Sequence, residues 1–226
     1  MCGRFTLTLD ENQLIKTLNH HFNTKYLPKG VSLPRFNIAP SQQVLGIINQ
    51  NNQLHVSTFK WGFLPTWWKP SSPLPPMINA KSETIDTLKV FKNAFQHKRC
   101  VILATGFYEW DQQTKTPYYF YSPHQPLFAF AGVYEYHPVK GATTAILTKP
   151  AYDGIKVHHD RGPVILNVDT INTWLNSTTS MDEIHAIINN AAPLLHNHPV
   201  NKTVNYVNND TSALIEKSVP LTLFDL

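Results

Sequence analysis

Cys100-Val101-Ile102-Leu103-Ala104, followed by Tyr118–Tyr121, Leu127–Val133 and Thr143–Thr148, are short β-branched or aromatic runs set apart by Gly, Pro or polar turns. Runs of this kind read as strands, so the middle of the chain is mostly sheet. Upstream, Val44–Ile48 and Leu54–Phe59 flank Asn49-Gln50-Asn51-Asn52 as the arms of a hairpin. Gly3–Leu9 alternates as a strand with Cys2 at its start, Val164–Val168 is another, and a last strand is expected near Val204–Val207. Helices are interspersed. Asp10 caps one carrying Leu14, Ile15, Leu18 and Phe22. Ser82 caps a second, with Glu83 and Asp86 in its first turn and Ile85, Leu88, Phe91 and Phe95 as its apolar stripe. Asp169 caps a short third with Ile171, Trp174 and Leu175, and Ser180-x-x-Glu183 is a capping box for a fourth with Ile184, Ile187 and Ile188. Lys25–Pro40 holds three prolines and Trp61–Pro76 holds three tryptophans and five prolines, so both read as loops. No repeat or linker divides the chain. The expectation is an α+β fold, a single domain over residues 1–226 with a largely antiparallel, barrel-like β-sheet core and peripheral helices.

The composition narrows the function. At 226 residues, 42% hydrophobic and 12% aromatic, the chain has ample material for a core. A formal charge of +4 permits a phosphate-bearing partner without demanding one. Cys2 and Cys100 are far apart and have no metal-ligand spacing, which argues against a disulfide framework or a zinc site and for a reducing compartment. His20-His21 and His196-x-His198 lie among polar, Pro and Asn residues and read as surface, so no metal is expected. No apolar run approaches the roughly 20 residues of a membrane span, and the start of the chain lacks the apolar region of a signal peptide; a soluble, intracellular protein is expected.

Met1-Cys2-Gly3-Arg4-Phe5 carries the chemistry. Methionine aminopeptidases remove Met1 before a small side chain, and the mature chain is expected to begin at Cys2. That leaves an α-amine and a thiol on adjacent carbons of one residue. Such a 1,2-aminothiol condenses with an aldehyde: the amine forms an imine, and sulfur closes on it to give a thiazolidine. Reference pKa values of about 8 for the amine and about 8.5 for the thiol leave a reactive fraction of each at neutral pH.

Met1–Phe5, Arg35-Phe36-Asn37-Ile38-Ala39-Pro40, Trp61-Gly62, Ile78–Thr84, Gly106-Phe107-Tyr108-Glu109-Trp110 and His159-Asp160-Arg161-x-Pro163 occur in this order, with Val204-Asn205-x-Val207-Asn208 closing the series. Together they resemble the SOS response-associated peptidase-like (SRAP) family over essentially the whole chain. The resemblance implies a mixed sheet and barrel fold and an abasic-site sensor. In that family the N-terminal cysteine traps the ring-opened deoxyribose aldehyde of single-stranded DNA as a thiazolidine crosslink. It further implies Cys2, Asn79, Glu109 and His159 as the reacting and proton-moving residues. Arg4, Arg35, Trp67, Trp68, Lys81, Thr148 and Arg161 are the expected DNA contacts. No cofactor is expected, and a monomer suffices for a single lesion. The compartment is the bacterial cytoplasm with its nucleoid, or the nucleus in a eukaryote. Two departures stand out: Gly162, where the family commonly has Met, and Lys81, where Arg is frequent.

The residue types suit these roles. Opening the cyclic sugar requires a proton delivered to the ring oxygen and another removed from the anomeric hydroxyl, work for an imidazole such as His159. In an extended segment His158 and His159 point to opposite faces, so only one can serve the pocket. Glu109, between Tyr108 and Trp110, is in an apolar setting that raises a carboxyl pKa; its alternative is an ion pair with a basic neighbour. Asn79 has both donor and acceptor to orient a sugar hydroxyl or the terminal amine, and is otherwise a turn or cap residue. Arginines suit phosphates bidentately, although Arg4 and Arg35 are also candidates for structural salt bridges. Trp67 and Trp68 can stack on or wedge beside bases. Cys100 is expected to be buried and inert. Two other functions use the same residues: a thiol peptidase with Cys2 as nucleophile, and a noncovalent single-strand binding module.

Overall fold

The structure, a computed structural model, describes residues 2–152, 154–190 and 193–218. In chain order its elements are β1 (Arg4–Leu7), α1 (Glu11–Phe22), β2 (Arg35–Ile38), β3 (Gln43–Gln50), β4 (Gln53–Trp61), β5 (Asn79–Lys81), α2 (Lys92–His97), β6 (Arg99–Ala104), β7 (Gly106–Trp110), β8 (Pro117–Tyr121), β9 (Phe128–His137), β10 (Gly141–Pro150), β11 (Arg161–Pro163), β12 (Ile165–Leu166), α3 (Val168–Leu175), α4 (Met181–Asn189) and β13 (His196–Pro199).

The expected α+β architecture with a barrel-like core is present. β10 pairs with β4, β4 with β3, β3 with β6, β6 with β9, and β9 returns to β10, so these five strands close a ring. Closure removes the exposed edges that an open sheet would present. Within the ring β4 and β10 are parallel and the other pairings antiparallel. The β3–β4 hairpin turns on Asn51 and Asn52 at φ 53° and 61°, a two-residue left-handed turn for which asparagine is well suited. β3 and β6 approach so closely that a Cβ at Gly46 would lie 2.3 Å from the Val101 carbonyl oxygen, which leaves room only for glycine.

A second, antiparallel sheet has the order β13-β8-β7-β1-β2. Its aromatic face packs onto the ring: Phe5 of β1 lies edge-on to Trp61 at 5.2 Å and to Phe130 at 5.6 Å, and Phe107 of β7 reaches Phe130 at 6.0 Å. Each fully buried aromatic contributes about 1.5–3 kcal/mol. Cys2 immediately precedes β1, so this packing carries it into the junction of the two sheets.

The local caps of Asp10 and Ser180 are present as capping boxes with Gln13 and Glu183. Three expectations are corrected. Ser82 caps no helix: its backbone N–H donates to the Thr148 carbonyl at 2.9 Å, continuing the β5–β10 ladder, and its hydroxyl pairs with Glu83. Turns follow, and helix begins only at Lys92, although Ile85, Phe91 and Phe95 are buried as the apolar stripe required. Asn167 occupies the N-cap position of α3 without a side-chain capping hydrogen bond, and Asp169 lies inside the first turn. The expected strand near Val204–Val207 is instead a 3₁₀ turn at Lys202–Asn205, because the Asn201 side chain accepts from the Thr203 N–H and bends the chain. β2, β5, β7, β11 and β13 are strands that the sequence reading did not identify; β2 lies at the end of the segment expected to be loop.

Candidate functional site

Cys2 is completely buried. The Asn79 side-chain amide donates to its carbonyl oxygen at 2.9 Å, holding the residue from β5 across to the start of β1. β5 is in place because Asn79, Ala80 and Lys81 pair in parallel with Ile146, Leu147 and Thr148. The other Asn79 side-chain atom, Oδ1, is buried without a hydrogen-bond partner among the described residues. An acceptor left in that state costs about 1–3 kcal/mol. It marks a place prepared for a donor.

Glu109, on β7 and only 2% exposed, has its carboxyl pushed up to about 7 by burial. The Cys2 thiol is also raised, by burial first and by the Glu109 charge second. Tyr152 is raised chiefly by burial and then by the Cys2 charge, and its hydroxyl donates to the Pro163 carbonyl at 3.1 Å. Cys2 therefore lies within electrostatic reach of both Glu109 and Tyr152, and Asn79 holds it there.

His159 ends a turn in which the Ile155 carbonyl accepts from both the His158 and His159 N–H groups, at 2.8 and 2.9 Å. Burial lowers the His159 pKa and favours the neutral ring. The Arg161 N–H donates to His159 Nδ1 at 3.0 Å, which assigns the proton of the neutral ring to Nε2. Asp160 Oδ1 lies 2.9 Å from the same Nδ1 and becomes its acceptor when the ring is protonated. The Asp160 charge also adds to the rise at Glu109, linking the His159 turn to β7.

The basic and aromatic candidates divide into two groups. Arg161 forms a bidentate pair with Glu83 at 2.7 and 2.8 Å and donates to the Thr148 carbonyl at 2.8 Å. This pairing holds the Glu83 carboxyl down at about 2. Thr148 is buried and holds Arg161, while Lys81, its partner in the β5–β10 register, is exposed. Arg4 is committed inward: it donates to Asn37 Oδ1 at 2.7 Å and to the Val204 carbonyl at 2.6 Å, and lies over the Trp110 ring. Arg35 pairs with Asp210 at 3.0 Å and also donates to Gln42. Trp67 is 54% exposed. Trp68 is partly buried, donating to the Leu74 carbonyl at 2.6 Å and meeting His137 edge-on.

Several supporting residues carried little or no signal. Asn37, inside a recognised block, donates to the carbonyls of Val204, Tyr206 and Asn209, and Asp210 accepts from the Asn37 N–H. Together they bind the 204–210 segment to β2. Tyr152 explains Gly162: a Cβ there would lie 2.8 Å from Ile155 Cδ1 and 3.3 Å from Tyr152 Cε1. The space of a larger residue at 162 is taken by these two side chains. A cavity of about 570 Å³ beside His21, His124 and Asp169 contains none of the site residues; the reactive groups, not the cavity, locate the chemistry. Among the described residues no cluster of three or more His, Cys, Asp or Glu could hold a metal ion, and no helix is long and apolar enough to cross a membrane.

This two-sheet fold, with a cysteine buried at its junction, is that of a family. Residues 1–207 match the SOS response associated peptidase (SRAP) family, and the chain belongs to it. It is 36% identical to the abasic site processing protein YoqW of Bacillus subtilis, covering 96% of this chain and 99% of that one. It is 30% identical to the abasic site processing protein YedK of Escherichia coli, with 96% and 99% covered. Among solved structures, a phage-related protein from Bordetella bronchiseptica superposes with a TM-score of 0.72 at 25% identity, covering 89% of this chain and 95% of that one. A Bacteroides thetaiotaomicron protein at 19% identity, with a TM-score of 0.74 over 96% of this chain and all of the other, shares the fold.

Proposed function

We propose that this protein processes abasic sites in single-stranded DNA by forming a covalent thiazolidine through Cys2, and that it works as a single-domain monomer. The observation that carries this reading is the Cys2 environment: a buried cysteine held by Asn79 beside a carboxyl raised to about 7. Abasic-site processing is what the YoqW and YedK relatives are named for.

The chemistry needs Met1 removed, a step that lies outside the described residues. His159, when protonated and held at Nδ1 by Asp160, delivers its Nε2 proton to the sugar ring oxygen as the hemiacetal opens, and the neutral ring that remains takes the proton lost by the anomeric hydroxyl. The free Cys2 amine attacks the aldehyde carbon, and the resulting carbinolamine loses water to give an imine. Glu109, poised between its two protonation states near neutrality, accepts the ammonium proton and returns one to the departing hydroxyl. The Cys2 sulfur then adds to the imine carbon, and its proton passes to nitrogen. One C–N and one C–S bond replace the C=O bond, with one water released. Asn79 Oδ1 accepts from a sugar hydroxyl or the Cys2 amine during these steps.

DNA is held outside this pocket. Trp67 offers a ring face for base stacking, and Lys81 a point charge at the end of β5. Arg161 is masked by Glu83, so in this reading it meets a phosphate by exchanging one carboxylate partner for another anion. A thiol peptidase is disfavoured because the Cys2 thiol is raised, whereas a peptidase nucleophile requires a stabilised thiolate.

The test is incubation with an oligonucleotide carrying one abasic site, followed by denaturing electrophoresis. The wild type should give a heat-stable adduct. Cys2→Ser should give only an adduct that needs borohydride to survive, since an amine without sulfur stops at the imine. A stable adduct from Cys2→Ser would overturn the thiazolidine assignment.

A further inference from the structure

The turn bearing His159 carries a second histidine that this chemistry does not use. His158 faces the β7–β8 hairpin: its ring stacks on Tyr118 at 3.8 Å and 29°, and lies edge-on to Phe120 at 5.9 Å. Its Nδ1 is 3.2 Å from Asp111 Oδ2, at the hairpin tip. The neighbouring Gln112 donates its N–H to the His158 carbonyl at 3.0 Å and its side-chain amide to Asp160 at 3.2 Å. Asp111 itself is held by the Gln113 and Thr114 N–H groups, so the tip is a braced turn. The contacts therefore bracket His159 on both sides, at 158 and at 160. The strand entering this tip, β7, carries Glu109, two residues before Asp111.

We propose that His158 is a positioning residue: with Asp111, Gln112 and Tyr118 it clamps the 155–160 turn to the hairpin that carries Glu109, and so fixes His159 relative to Glu109. The clamp rests on the proton-transfer roles given above to those two residues. It gives the adjacent histidines opposite duties, one facing the reaction and the other the scaffold. Because proton transfer fails when partners move by about 1 Å, losing the clamp slows the reaction without weakening DNA binding.

The test is single-turnover crosslinking to an abasic oligonucleotide at saturating concentration, with noncovalent affinity measured in a Cys2→Ala background. His158→Ala should lower the limiting rate about tenfold or more. His158→Phe, which keeps a ring on Tyr118, and Asp111→Asn should each lower it about threefold, and their combination no further than either alone. Affinity should stay within twofold throughout. Limiting rates within twofold of wild type, or a loss confined to affinity, would overturn the proposal. If His158→Ala does not fold, Asp111→Asn and His158→Phe decide the matter by the same criteria. A wild type that forms no crosslink would sink the crosslinking function instead. The clamp is then judged by the ¹⁵N resonances of the His159 ring, which move in Asp111→Asn if it exists and stay fixed if it does not.

Discussion

Cys2 and Cys100 are both fully buried, and burial raises both thiols. Their surroundings differ. Cys100 is the second residue of the all-buried strand β6, against Gly132, where an added Cβ would come within 2.9 Å of its sulfur. Its sulfur has the Thr144 hydroxyl at 3.4 Å, and its carbonyl accepts from the Trp174 indole at 2.8 Å. Burial pushes its thiol up to about 12, with the Thr144 hydroxyl offsetting part of the rise. Cys2 instead sits at the end of a strand beside a carboxyl raised to about 7 and an amide with an open acceptor. Burial silences a thiol; what sets Cys2 apart is a neighbouring carboxyl that can exchange protons near neutrality.

The comparison can be broken most severely by exchanging the two residues' fates. Cys2→Ala should abolish stable crosslinking altogether, whereas Cys100→Ala should leave the rate within twofold and cost only stability; equal losses in denaturing gels would erase the distinction. Next in size, Glu109→Gln should lower the crosslinking rate by about 10²–10⁴-fold. The wild-type rate should rise with pH through about 7, as Glu109 becomes the base, and the variant should lack that limb in a pH–rate profile.

The same carboxyl sharpens the contrast through stability. Its folded pKa of about 7 exceeds the unfolded value of about 4.3. The stability it contributes is therefore present below the unfolded value and lost as pH rises through the folded one. Between pH 4 and 8 the wild type should lose about 3 kcal/mol relative to Glu109→Gln, read from denaturant titrations at each pH. An unchanged difference would mean that Glu109 is ordinary. Smallest is the DNA surface: Trp67→Ala should weaken single-strand binding by about 1–3 kcal/mol without changing the limiting rate. Trp68→Ala, whose indole is tied to Leu74, should act mainly on thermal stability.

Legibility in the sequence followed the range of the interactions. The caps at Asp10 and Ser180 close within three residues, and both were readable. Ser82 carries the same kind of signal, but a ladder to β10, 66 positions along, overrides it. β7 was hidden because it is buried continuously from Gly106 to Glu109, so its sequence carries no in-and-out alternation. Within the site, the sequence singled out Cys2, Asn79 and Glu109 for their residue types, and it named Arg35 as a salt-bridge candidate, which pairs with Asp210. The engagement of Arg161 by Glu83 and of Gly162 by Ile155 and Tyr152 was not legible, because each depends on how the folded segments meet.

The most direct measurement is the intact mass of the purified protein before and after incubation with a single-stranded oligonucleotide bearing one abasic site. The account predicts a chain that has lost one methionine and then gains the mass of the oligonucleotide less one water, with no such gain in Cys2→Ala. A chain without Met1 that gains nothing, or an equal adduct on Cys2→Ala, would contradict it.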